Sequence, residues 1–260
     1  MAFKKLKYWF DVELAKLLSD KILAVYPTFK ATDFCKKIAQ QVDELELKDR
    51  VEVFADAFHH FLEEEYTANI SILMTILGPE NEKETGMFKE FYWVMPIAKY
   101  VEKYGLDNFT ISIKAIEEIT KRNTGEYTIR PFLEKFPNKT IQQMLVWSKD
   151  KNKHVRRLAS EGVRPRLPWA KKLQSFIENP KSIIPILENL KDDDSNYVQK
   201  SVANCLNDIL KDNEDFGKKR IEKWIENPTK QRKWIVMHAI RNFRKKEAIW
   251  ALRIVKNLAV

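Results

Sequence analysis

Glycine and cysteine are scarce in this sequence. Its 260 residues include only six glycines, scattered and outside any P-loop or Rossmann fingerprint. That argues against β-rich and glycine-loop folds and for helix throughout. Two cysteines, Cys35 and Cys205, are too few for a disulfide framework or a cysteine metal cluster, which predicts a reduced, cytoplasmic chain. Long apolar runs are missing as well. The N-terminus is interrupted by charges, so neither a signal peptide nor a membrane span is expected. Neither G-x-S-x-G nor H-E-x-x-H occurs. His59 and His60 beside Glu63–Glu65 do not repeat at a zinc spacing, and no metal is expected there.

Arginine is nearly absent from the first 120 residues, where Arg50 is the single example. Those residues hold 15 Lys+Arg against 21 Asp+Glu, a net charge of −6, whereas residues 121–260 hold 31 against 16, a net of +15. A basic half with clustered arginines predicts a polyanion partner, nucleic acid first and an anionic membrane second. Scattered lysines alone would need no more explanation than solubility.

Helical periodicity runs through the chain. Residues 49–66 place Val51, Phe54, Phe58, Phe61 and Leu62 on one face. Residues 93–105 read as a helix ending on Gly105 as its C′ residue. Breakers at Pro27, Gly78-Pro79, Gly105, Gly125, Pro137, Pro180 and Pro228 divide the chain into helices of ordinary length. In the basic half three segments align: HVRRLASE from 154, YVQKSVAN from 197 and WIVMHAIR from 234. A period near 40 residues is the signature of HEAT-like helical repeats. KDDDSNYVQ (191–199) has the Ser-capped entry of a repeat's second helix. The expected architecture is all-α, one HEAT-like superhelix over 1–260 with a concave basic groove. Residues 1–120 form its acidic, divergent part and 121–260 its repeats.

The repeat register places Glu161, Asn204 and Arg241 at equivalent positions on neighbouring helices. Asp208 lies one turn beyond Asn204, so Glu161 and Asp208 should point into one groove. With helices about 10 Å apart, a sugar would fit between them. The string His154–Trp169 surrounds Glu161 with Arg157, Arg164 and Arg166 and ends on Trp169. It reads as a helix stopped at Arg164-Pro165, with Pro168 and Trp169 opening the next. Its arginines allow two readings: local i,i+3 and i,i+4 ion pairs, or a phosphate clamp around an oriented carboxylate. Glu126, with Thr124 as an N-cap, would sit in a helix's first turn, where a carboxylate is favoured by the dipole alone. Trp169 is either core, like Trp147, Trp224, Trp234 and Trp250, or a π-face for a cationic base. His238 and Arg241 extend the basic ridge, although burial is the commoner fate of such a histidine.

EYTIRPFLEKFP (126–137), VRRLASEGVRPRLPW, SVANCLNDILKD and WIVMHAIR together resemble the AlkC branch of the HEAT-like-repeat DNA alkylation repair glycosylases. The resemblance covers roughly residues 120–245. It implies excision of N-alkylated bases, 3-methyladenine and 3-methylcytosine, without metal or cofactor; double-stranded DNA is the expected partner and a monomer the expected state. It also implies a catalytic set of Glu126, Glu161 and Asp208, accompanied by Trp169, Arg157 and Arg164; Arg166, His238 and Arg241 are expected on the DNA from their place in the basic run and ridge. The TG before Glu126 and Cys205 after Asn204 depart from the family's pattern. Two rival readings remain: a non-catalytic nucleic-acid-binding solenoid, and a protein-interaction adaptor docking through the acidic half.

Overall fold

The computed structural model describes residues 4–258, and every regular element among them is helical. No described helix is long and apolar enough to cross a membrane. The chain divides into two compact units that are adjacent in sequence at Lys135 and Phe136. The change of charge at residue 120 therefore falls inside the first unit.

The first unit contains α1 (Val12–Leu23), α2 (Ala31–Gln41), α3 (Leu47–Phe61), α4 (Tyr66–Thr75), α5 (Met95–Tyr104), α6 (Phe109–Thr120) and α7 (Ile129–Lys135). Asp11 starts α1 by accepting hydrogen bonds from the Glu13 and Leu14 amides, relieving two of the donors that a helix start leaves unpaired. Val51, Phe54, Phe58, Phe61 and Leu62 are all buried, as their spacing predicts. Phe58 stacks on Phe34 at 5.5 Å. The helix is shorter than expected: it ends at Phe61, and Glu63 then turns to φ 52°. Arg50 is structural. Its buried guanidinium donates to the carbonyls of Asp43, Leu45 and Phe10.

The second unit contains α8 (Pro137–Trp147), α9 (Lys153–Glu161), α10 (Gln174–Glu178), α11 (Ile184–Leu190), α12 (Asn196–Asp212), α13 (Glu214–Trp224), α14 (Lys230–Ala239), α15 (Arg241–Lys245) and α16 (Ile249–Leu258). Here the repeat is visible as helix pairs, α8/α9, α11/α12 and α13/α14. The second helices lie side by side, α9 on α12 and α12 on α14, and the first helices back them. Each second helix opens on a side-chain cap: Asn152 for α9, Ser195 for α12 and Thr229 for α14. The acidic run before α12 ties the repeats together. Asp193 takes Arg156 from one neighbour, and Asp192 takes Arg232 from the other. Val155, Leu158, Val198, Val202, Leu206, Ile235 and Val236 are buried between the layers. Trp147 and Trp224 join this core, but Trp234 does not and is 42% exposed.

Gly105 corrects a detail. It is the C-cap of α5 with φ −93°, not a left-handed C′ residue. Glycine is needed there for space: a Cβ would stand 2.5 Å from the Tyr66 hydroxyl and 2.6 Å from Ser112 Oγ, which hydrogen-bond each other. Gly105→Ala should therefore destabilise the protein by about 1–3 kcal/mol through overpacking. Gly78→Ala has open space but φ +69° and should lose only about 1 kcal/mol. Urea unfolding of both variants checks the order.

Candidate active site

The chemistry-bearing side chains of the second unit come from α9, the turn after it, and α12. Glu161 is the last residue of α9 and Asp208 lies in the final turns of α12; they are 6% and 1% exposed. The repeat register foresees that these two carboxylates share a face. It does not foresee what joins them. Arg164 donates through Nη1 to Glu161 Oε1 at 2.8 Å and through Nε to Asp208 Oδ2 at 3.0 Å. The space expected for a sugar between the two acids thus holds a guanidinium.

The remaining oxygens are also engaged. Ser201 Oγ, one helical face with Asp208, donates to Glu161 Oε2 at 2.7 Å. Lys211 Nζ reaches Asp208 Oδ1 at 3.2 Å from a side chain 41% exposed. Arg157 Nη2 lies 3.5 Å from Glu161 Oε1, and its guanidinium sits over the Tyr197 ring at 5.0 Å. Burial alone would push the Glu161 carboxyl up. The charges of Arg157 and Arg164 and the Ser201 hydroxyl outweigh it and hold it below the usual carboxylate range. Burial likewise opposes the Arg164 charge, and Glu161 and Asp208 more than restore it. Burial pushes the Cys205 thiol well up, leaving it inert beside the acids.

The other expected site residues are arranged differently. Arg166 makes two hydrogen bonds to Asp212, the last residue of α12. Trp169 does not open a helix. It sits in the loop between α9 and α10 with φ 64° and is 78% exposed. A bulky residue rarely adopts a left-handed backbone, and the fold holds its ring outward there. Arg241 donates to Asn204 Oδ1 at 2.9 Å and to the His238 carbonyl, so the equivalent positions 204 and 241 do meet. The His238 ring stacks on Trp234 at 5.0 Å and 8°. Burial, Arg241 and Lys200 hold its imidazole below the usual value, which disfavours its cationic form. Glu126 lies in the first unit. It is buried, in the turn before α7, and the helix begins only at Ile129. Thr124 is therefore not its N-cap, and Glu126 stands outside the first turn.

The site residues expected from spacing do not include Ser201, Tyr197 or Lys211, and Trp234, expected in the core, is half exposed beside His238. Ser201 had a signal, since it precedes Asp208 by two helical turns on one face. The ring over Arg157 and the stack on His238 depend on side-chain packing that spacing does not encode.

Residues 99–243, more than half of the chain, match the family described as DNA alkylation repair enzyme. The uncharacterized protein YhaZ of Bacillus subtilis (strain 168) is 38% identical over 242 residues, covering 93% of this chain and 65% of that protein. The solved structure of Pseudomonas fluorescens alkylpurine DNA glycosylase AlkC, bound to DNA containing an abasic site analog, aligns with a TM-score of 0.88 at 35% identity. That alignment covers 98% of this chain and 69% of AlkC. The chain thus spans about two thirds of the length of each relative. The matched segment contains Glu126, Arg157, Glu161, Arg164, Arg166, Trp169, Asp208, His238 and Arg241. This chain belongs to the DNA alkylation repair enzyme family.

Proposed function

We propose that this chain is a monofunctional DNA glycosylase that hydrolyses the N-glycosidic bond of cationic N-alkylated bases in double-stranded DNA. Its substrates are 3-methyladenine and, by the same chemistry, 3-methylcytosine. The observation that carries this reading is the pair of carboxylates, Glu161 and Asp208, set on neighbouring repeats and fixed by one guanidinium. A base that already carries positive charge leaves without a general acid. The C1′–N electron pair goes to the base, which departs neutral, and the sugar becomes oxocarbenium-like. Water adds to C1′ and releases a proton. Ionised carboxylates near C1′ stabilise the developing charge and orient that water. Glu161, held low, is ionised at neutral pH and suits this role.

Arg164 acts as the rigid backing of the pair, so the sugar approaches from the solvent side and not from between the acids. Lys211 covers Asp208, and displacement of this long exposed side chain gives access. Arg157, Arg166 and Arg241 contact phosphates, while Trp169 and His238 offer rings to sugar or base. Glu126 enters the catalytic set on the family resemblance alone. The burial of Asp208 under Lys211 favours one alternative, a solenoid that binds nucleic acid without cleaving it. Incubation with methylated duplex DNA, with identification of the free base, separates the two: release of 3-methyladenine supports the glycosylase, and binding without release supports the alternative.

Duplex binding should depend strongly on salt and weakly on sequence, with each phosphate contact adding about 0.9 to the slope of log K against log salt. A flat salt response in a titration series would count against the basic face as the contact surface.

Asp208→Asn should slow single-turnover base release on the order of 10²-fold or more while leaving DNA affinity intact or improved. Asp212→Asn, which touches only the Arg166 pair, should cleave at close to the wild-type rate. Wild-type release by Asp208→Asn would remove the catalytic assignment.

Arg164→Met should destabilise the protein by roughly 3–5 kcal/mol at pH 7, because two buried carboxylates lose their shared cation. The depressed Glu161 group contributes stability above its unfolded value near pH 4.3, and that contribution is lost as pH falls through its lower folded value. The deficit of the variant should therefore shrink in acid. Urea unfolding at pH 7 and at successively lower pH measures it.

A further inference from the structure

Between α9 and α12 lies a hydroxyl pair with no part in the mechanism so far. Ser201 is 2% exposed and Ser160 is fully buried. Their Oγ atoms are 2.6 Å apart, and Ser201 Oγ is 2.7 Å from Glu161 Oε2. The Arg157 carbonyl is a second acceptor within reach of both hydroxyls, 3.1 Å from Ser160 Oγ and 3.5 Å from Ser201 Oγ. The protons of this chain can be assigned. An ionised carboxylate only accepts, so the single Ser201 proton points at Glu161. With that proton committed, the 2.6 Å contact is made by the Ser160 hydroxyl donating to Ser201 Oγ in preference to the Arg157 carbonyl at 3.1 Å. The direction runs from Ser160 to Ser201 to Glu161, and it is fixed by the charge at its end.

The two Glu161 oxygens thus have different partners. Oε1 faces Arg164 and Arg157, and Oε2 faces Ser201. The arginines supply charge at Oε1. A donor on the other oxygen, from a different helix, restricts rotation of the carboxylate about its last bond.

We propose that Ser201 is the positioning residue of Glu161, fixing the plane of its carboxylate and favouring its ionised form, with Ser160 orienting the Ser201 proton. This rests on the glycosylase reading for its effect on rate, but not for its effect on Glu161 itself. The titratable or charged groups around Glu161 include Arg157 on its own helix, Arg164 on the following turn, and Asp208 and Cys205 on α12. Arg164 and Arg157 reach Oε1, and Ser201 donates to Oε2 from α12.

The test compares Ser201→Ala, Ser201→Thr and Ser160→Ala in the full chain. All are small changes, and urea unfolding establishes that each variant is folded. The carbon-13 titration of the Glu161 carboxyl, assigned by its loss in Glu161→Gln, is read for each together with single-turnover base release and duplex affinity. The expected result is a Glu161 titration moved upward in Ser201→Ala, with base release slower by roughly tenfold or more. Duplex affinity should stay within about twofold, since the buried hydroxyl cannot reach DNA. Ser160→Ala should show a smaller shift, and Ser201→Thr, which keeps the hydroxyl, should restore most of both. If the pair is only a clamp between helices, Ser201→Ala and Ser160→Ala lose stability alike and the titration does not move, which overturns the proposal. A moved titration with an unchanged rate in an active enzyme overturns it as well. If the wild-type protein releases no base, the glycosylase reading fails by itself, and the titration still decides whether Ser201 controls Glu161.

Discussion

The candidate site depends on one guanidinium. Two carboxylates buried side by side repel each other and lose their hydration, and neither cost is tolerable without a cation. Arg164 supplies it to both at once, at 2.8 and 3.0 Å. Its geometry constrains what surrounds it. Gly162 closes α9 directly after Glu161, and the chain then turns so that Arg164 faces back across to α12. Pro165 follows at once, and its preference for an extended residue before it keeps Arg164 out of any continuing helix. The stop after α9 is therefore a means of aiming a side chain as well as a boundary.

The helices that hold Glu161 and Asp208 are themselves aligned by polar contacts outside the site. The capped starts of α9, α12 and α14 fix where each second helix begins. Asp192 and Asp193 then fasten the start of α12 to α14 and α9. A shift of one residue along α12 would turn Asp208 by about 100° away from Arg164. Caps and ion pairs at one end of the helices thus set the register at the other end, where the acids lie. Apolar packing between the layers supplies stability but is less particular about register, because Val, Leu and Ile substitute for one another in a groove.

Much of this was legible in the sequence. Helical periodicity identified the buried face of α3, and the internal repeat identified α9, α12 and α14 as equivalent. Their alignment brought together Asn204 and Arg241, and Glu161 and Asp208, because a 3.6-residue period converts spacing into direction. What spacing cannot convert is the path of a long side chain. The i,i+3 relation of Arg164 to Glu161 is real, yet the same guanidinium also spans to α12, and no local pattern distinguishes those two outcomes. The backbone of Trp169 escapes spacing for a related reason. Two prolines nearby point to a new helix, whereas the loop takes a left-handed turn at Trp169. Gly105 reads as a left-handed cap, although it is glycine because a tyrosine and a serine from other helices crowd it. The capping pattern at Thr124 points to a helix over Glu126, but the helix starts later, at Ile129.

The charge arrangement bears on how such a site could act on a polyanion. Exposed carboxylates in a basic face would repel phosphates and be screened by salt. Here they are buried and neutralised by neighbours, so the face remains positive at a distance and the acids matter only at close range. Glu161 and Asp208 carry two negative charges against those of Arg157, Arg164 and Lys211. Of these cations, Arg164 is itself buried and Lys211 is the most exposed. Moving Lys211 toward a phosphate would leave Asp208 with Arg164 alone and shift the local balance toward negative charge. Binding of the backbone and exposure of the carboxylate would then be one event, which links charge stabilisation at the sugar to correct engagement of the strand.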